Sequence, residues 1–211
     1  TYVSVSDRPG AGASDLGITF NGIGDRLFTE TGFGTPNNYF ANDKAPPSLN
    51  FKDLYGHGQQ MWVKPNALRA NPDAGLEGVD TFLRQDLVFD GPSYGIYITG
   101  KGNWGFTWDW SDTNLPSRER DTLVPVPADG NTWSHVMSLS SNESPEDSLV
   151  GPSTNWNFIV LVDGVAVGAT TGFGGGRSTL AIGASLDNTN HFSGVIDNYS
   201  SFTWGDNSHL D

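Results

Sequence analysis

The chain carries no apolar pattern of helical period over a useful length. What repeats is short: runs of alternating or β-branched residues, each closed off by Gly, Pro, Asn or Asp. Read as strands, these runs fall at Tyr2–Ser6, Gly17–Asn21, Gln59–Lys64, Thr81–Phe89, Tyr94–Thr99, Trp104–Trp110, Thr122–Pro125, Trp133–Ser138, Asn157–Val162, Val165–Thr170, Thr179–Gly183 and Gly194–Thr203. Asp163-Gly164 between two apolar runs predicts a two-residue hairpin of type I′, which needs positive φ at both positions. Gly172–Gly176 is the next turn, and Asn66–Gly78 is expected to hold at most one helical turn. About a dozen such strands predict an antiparallel sandwich or barrel.

In Gly102–Trp110 (GNWGFTWDW), Trp104, Phe106, Trp108 and Trp110 share one strand face, and Asn103, Gly105, Thr107 and Asp109 the other. The aromatic row is either core or a platform on which sugar rings stack. A mixed arrangement buries Trp104 and Phe106 and lets Trp108 or Trp110 emerge at the strand end.

Composition narrows the function. Of 211 residues, 36% are hydrophobic and 17% charged, enough for one domain with a core over residues 1–211. No apolar run approaches the roughly 18 to 20 residues of a membrane-spanning helix, so membrane insertion is not expected. The net charge of −13, from 11 Lys+Arg against 24 Asp+Glu, repels phosphate backbones and argues against a nucleic-acid partner. Cys is absent, which excludes thiol nucleophiles, disulfides and thiolate metal sites. A start at Thr1 reads as processed, and abundant Asp, Asn, Gly, Ser and Thr suit an extracellular or cell-surface setting.

Several segments resemble laminin-G-like (LamG-like), concanavalin A-like jelly rolls of bacterial secreted proteins. Ile18-Thr19-Phe20-Asn21-Gly22 resembles the family's opening strand, and Met61-Trp62-Val63-Lys64-Pro65 its early tryptophan strand. Asn131-Thr132-Trp133-Ser134-His135-Val136 and Phe158-Ile159-Val160-Leu161-Val162-Asp163-Gly164-Val165 resemble its later strand and hairpin, and Leu180–Gly183 with Phe192–Asp197 its closing strands. The succession covers about residues 17–204 and departs from the family at Asn198-Tyr199-Ser200 and in the insertions at 30–57 and 141–156. The resemblance implies an all-β sandwich of two antiparallel sheets, a fold that hosts lectins, adhesion domains, lyases and hydrolases alike.

The chemistry therefore has to come from sites. Hydrolysis of a glycosidic bond usually needs two carboxylates flanking it. The five Glu are Glu30, Glu77, Glu119, Glu143 and Glu146, and none forms the Glu-x-Asp-x-x-Glu pattern of jelly-roll glucanases. Arg118-Glu119-Arg120 faintly resembles the arginine–glutamate–arginine strand of alginate lyases but follows Leu115-Pro116 and reads as an exposed loop. His135 reads as a partly buried, satisfied histidine. No catalytic residue is named. Oxygen-rich loops suit a structural Ca²⁺, with Asp187, Asn190 and Asp197 as candidate ligands and Asn37, Asn38, Asn42 and Asp43 as a second loop. Trp156 among Asn155 and Asn157 pairs a stacking ring with amides that both donate and accept.

These readings converge on non-catalytic glycan recognition, with Trp108, Asp109, Trp110, Asn155 and Trp156 as the expected contacts and a polysaccharide or glycan as partner. Two alternatives stay open: a structural subunit of a surface assembly, pairing with copies of itself or with other surface proteins, and a polysaccharide lyase or glycoside hydrolase.

Overall fold

The computed structural model describes residues 1–29, 54–90, 94–108, 119–142, 156–172 and 180–205. Among them the regular elements are strands: β1 (Tyr2–Ser4), β2 (Leu16–Asn21), β3 (Leu27–Thr29), β4 (Leu54–Pro65), β5 (Gln85–Asp90), β6 (Tyr94–Ile98), β7 (Asn103–Trp108), β8 (Glu119–Pro125), β9 (Ser134–Asn142), β10 (Trp156–Val162), β11 (Val165–Gly172), β12 (Leu180–Ile182) and β13 (Ser193–Gly205). They form a seven-stranded sheet in the order β1-β2-β13-β4-β9-β10-β11 and a six-stranded sheet in the order β3-β12-β5-β6-β7-β8. The named strands pair antiparallel throughout.

Alternation decides which side chains meet between the sheets. Met61 and Val63 of β4, Val136 of β9 and Ile196 of β13 face Val88 of β5, Ile96 and Ile98 of β6 and Trp104 of β7 in one core. Trp104 is 1% exposed and Phe106 2%, so this part of the aromatic row is core. Phe106 meets Phe158 of β10 ring to ring across the sheets, with centroids 5.5 Å apart. Burying side chains of this size supplies the main drive for closing the two layers.

The hairpin between β10 and β11 has the expected turn: Asp163 at φ 51° and Gly164 at φ 78°. Asp163 also accepts the His135 N–H at 2.7 Å, fixing the turn to β9. At the opposite end of these strands Trp108 closes β7 and Trp156 opens β10, each two residues beyond the Phe106–Phe158 contact.

The N-terminal segment folds over the outer side of the seven-stranded sheet. Val5 packs with Trp133 and Val195, and the buried Arg8 Nε lies 2.6 Å from the equally buried Asp197 Oδ2.

Two sequence expectations change, both at strand starts. β8 begins at Glu119, so Glu119 and Arg120 belong to a strand rather than to a loop, while Arg118 lies outside the described residues. β5 begins only at Gln85, because the Phe82 and Leu83 N–H groups go to Gly100 O and Arg69 O instead of a ladder. β3 has three residues, too few to show a period. Asn66–Gly78 contains turns and isolated bridges and no helix.

Candidate functional site

The outer face of the six-stranded sheet, turned away from the other sheet, carries its own cluster of Phe89, Tyr97 and Ala181, with Leu186 packed against it. Two glycines shape this surface. A Cβ on Gly105 would lie 2.5 Å from the Tyr97 ring, and one on Gly95 would lie 2.5 Å from the Phe89 ring. Both rings therefore lie close against the neighbouring strand. The Tyr97 hydroxyl completes the seat, donating to Phe106 O at 3.0 Å and accepting the Arg120 N–H at 3.2 Å.

Arg84 spans this floor. Its guanidinium carbon sits 3.8 Å from the Tyr97 ring centroid and 5.4 Å from that of Phe89. Nε meets Asp86 Oδ1 at 2.6 Å, and Nη1 is paired with Glu119 on the edge strand β8. The inner carboxylate is enclosed and the outer one open: the side chains of Asp86, Arg84 and Glu119 are 0%, 21% and 42% exposed. Asn190 Nδ2 donates to the second Asp86 oxygen at 3.3 Å. Along β8, Asp121 accepts Asn103 Nδ2 on both oxygens, at 3.0 and 3.2 Å, and the Leu123 N–H at 2.8 Å.

Burial pushes the Asp86 carboxyl up to about 6, against the pull of Arg84 and Asn190. Burial works to lower the Arg84 pKa, but Asp86 first and Glu119 after it outweigh that and hold it above its ordinary value. Burial, more than the opposing pull of Arg84, raises the Tyr97 phenol. The cluster is thus a permanent cation on an aromatic plane, with one sealed and one accessible acceptor. That arrangement offers hydrogen-bond donors and acceptors at fixed positions beside apolar surface.

No protein-family model matches the chain, and no curated protein matches it. Among solved structures, domain 4 of AbnA, a GH43 extracellular arabinanase from Geobacillus stearothermophilus, in complex with arabinotriose, is similar over 97% of this chain and 75% of that one, with 16% identity and a TM-score of 0.51. The CBM40 of Ruminococcus gnavus IT-sialidase bound to α2,3 sialyllactose covers 88% of each chain at 14% identity and a TM-score of 0.45. The fold is a concanavalin A-like jelly-roll sandwich.

Of the expected glycan contacts, two lie within the described residues, both at strand ends. Trp108 is the last residue of β7, opposite Tyr94, and Trp156 is the first of β10, between Asn142 and Gly172. Asp109, Trp110 and Asn155 lie outside the described residues. The Ca²⁺ candidates address three different partners. Asp187 accepts from Thr189 Oγ1 at 2.7 Å within its own loop, Asn190 donates to Asp86, and Asp197 pairs with Arg8. A cation shared among them would have to draw Asp197 off Arg8. Among the described residues no three His, Asp or Glu side chains gather as a metal site requires. The second oxygen-rich loop, Asn37 to Asp43, is outside the described residues. His135 is held as expected, stacked on Trp62 at 5.0 Å with Nε2 3.2 Å from Gln60 Oε1.

Arg84, Asp86, Asn103 and Asp121 were not singled out from sequence as site residues, while Tyr97 counts among the less specific candidate aromatics. The signal was the polar half of the same alternation: Arg84 and Asp86 on one strand run, Asn103, Gly105 and Thr107 on the next, and Glu119 and Asp121 on the third.

Proposed function

We propose that the chain is a non-catalytic glycan-binding domain of the laminin-G-like kind, working outside the cell or at its surface, with the outer face of the six-stranded sheet as its recognition surface. The observation that carries this reading is Arg84, laid on the Tyr97 ring between the sealed Asp86 and the open Glu119. Sugar hydroxyls are read by polar side chains whose direction is already fixed, set beside an apolar plane. Here the fixing is done by Asp86 and Asn190 from below and by Tyr97 alongside. Trp108, Asp109, Trp110, Asn155 and Trp156 extend the reading to the strand ends of β7 and β10. Cleavage has less support, since Asp86 is sealed and Arg84 neutralises Glu119, which leaves this pair without a free acid and base to flank a glycosidic bond.

Retention of the protein in native gels cast with soluble polysaccharides tests the reading. Arg84→Lys keeps Asp86 paired but loses the flat, forked donor set. Retention is expected to fall about tenfold or more in Arg84→Lys, a loss of about 1.4 kcal/mol, with the melting temperature nearly unchanged. Full retention in this folded variant removes the face from the reading. Trp156→Ala and Trp110→Ala test the strand-end contacts in the same gels.

A further inference from the structure

We infer that this face selects uncharged glycans and turns away those bearing carboxylates or sulfates; the inference rests on the glycan-binding reading and specifies its ligand class. The ground is how Arg84, a cation at the centre of this face, is used. Arg84 meets two carboxylates, Asp86 at 2.6 Å and Glu119 on the other side, while Tyr97 occupies the flat of the guanidinium. Asp121 adds a third carboxylate two residues along β8 on the same strand face, locked by Asn103. Among the described residues Arg26 is a second cation near this face; it is spent over the Phe28 ring at 4.3 Å and on Leu186 O at 3.3 Å. Arg120 alternates to the opposite side of β8, and its Nη1 donates to Glu119 O at 3.3 Å.

An acidic sugar approaching Arg84 therefore comes to lie beside Glu119, two like charges in a half-enclosed place. A neutral sugar meets no such conflict. Its hydroxyls donate to the accessible oxygens of Glu119 and accept from guanidinium N–H groups that still face solvent. The net charge of −13 acts in the same direction at long range, but about 0.15 M salt screens it beyond about 8 Å, so the discrimination assigned to Glu119 is local.

The experiment compares retention on neutral polymers, arabinan and a soluble β-glucan, with retention on polygalacturonate and alginate, at pH 7 and about 0.15 M salt. The expected result is retention by a neutral polymer at least about tenfold stronger than by either acidic one. Glu119→Gln is expected to narrow that ratio about tenfold by admitting the acidic polymers. Glu77→Gln, at an exposed turn and in none of the contacts of the Arg84 cluster, changes the net charge by the same amount and is expected to leave the ratio alone. Acidic polymers retained by the unaltered chain as strongly as neutral ones overturn the inference and leave the glycan reading standing. The same holds if Glu77→Gln narrows the ratio as much as Glu119→Gln does. Retention on none of the four polymers overturns the glycan reading and the inference with it.

Discussion

Asp86 sets the behaviour of the face with acidity. Its carboxyl titrates at about 6 in the folded chain against 3.8 when exposed, because burial outweighs the attraction of Arg84. A folded-state value above the unfolded one means that the native state holds the proton more tightly. The stability this confers is complete below about pH 4 and is lost as pH rises through about 6. From pH 7 to pH 5 the melting temperature is therefore expected to rise, with about 1 kcal/mol gained over that interval. Asp86→Asn should flatten that rise, and an unaltered slope in the variant would assign it to other groups. Asp129 acts in the other direction. Backbone N–H of Asn131 and the Thr132 hydroxyl hold it down at about 2, so its contribution is present above 3.8 and lost as pH falls through about 2. The ion pair between Arg8 and Asp197 is the other buried charge contact of consequence. Asp197→Ala removes the shorter of the two carboxylate contacts of the enclosed Arg8 guanidinium, leaving Asp15 Oδ2 at 3.2 Å, and is expected to cost about 3 kcal/mol in chemical denaturation.

Strands β6 and β7 show how an element aims a side chain on its neighbour. Gly105 is required by contact rather than by turn geometry, since a methyl group there would press into the Tyr97 ring. Gly105→Ala is expected to lift Tyr97, tilt Arg84 off its plane and weaken polysaccharide retention several-fold, while far-UV circular dichroism stays that of a β protein. The elements themselves were legible because period-two alternation with Gly and Pro stops is a strong local signal, as at Asn157–Val162 and at the Asp163-Gly164 turn. The start of β8 was not, because Arg118-Glu119-Arg120 is polar at every position and offers no alternation to read. Its strand state comes from pairing with β7 in three dimensions, Thr107 to Glu119 and Gly105 to Asp121. The cluster on Arg84 was hidden for the same reason. Its members come from positions near 84, 97, 103, 119 and 190, which only sheet order brings together. Trp108 and Trp156 are proposed from sequence on one-dimensional signals, an alternating aromatic row for the first and a large aromatic beside amides for the second.

Across the whole molecule, the two layers are joined by a few large rings, and the Phe106–Phe158 contact is the one nearest the strand ends that carry Trp108 and Trp156. Phe106→Ala and Phe158→Ala are each expected to cost about 3 to 5 kcal/mol. The double variant should fall short of the sum by about 0.5 to 1.5 kcal/mol, because the same ring pair is removed twice. Exact additivity in urea melts would show that the rings are not coupled. At the far end of the sandwich, the tight turn of Asp163 and Gly164 leaves Val165 65% exposed on the other sheet from Arg84. The 211 residues contain no cysteine, so Val165→Cys would install a lone chemical handle. A dye, a biotin or a sensor chip attached there would hold the molecule by its heel and leave the opposite rim open to solution.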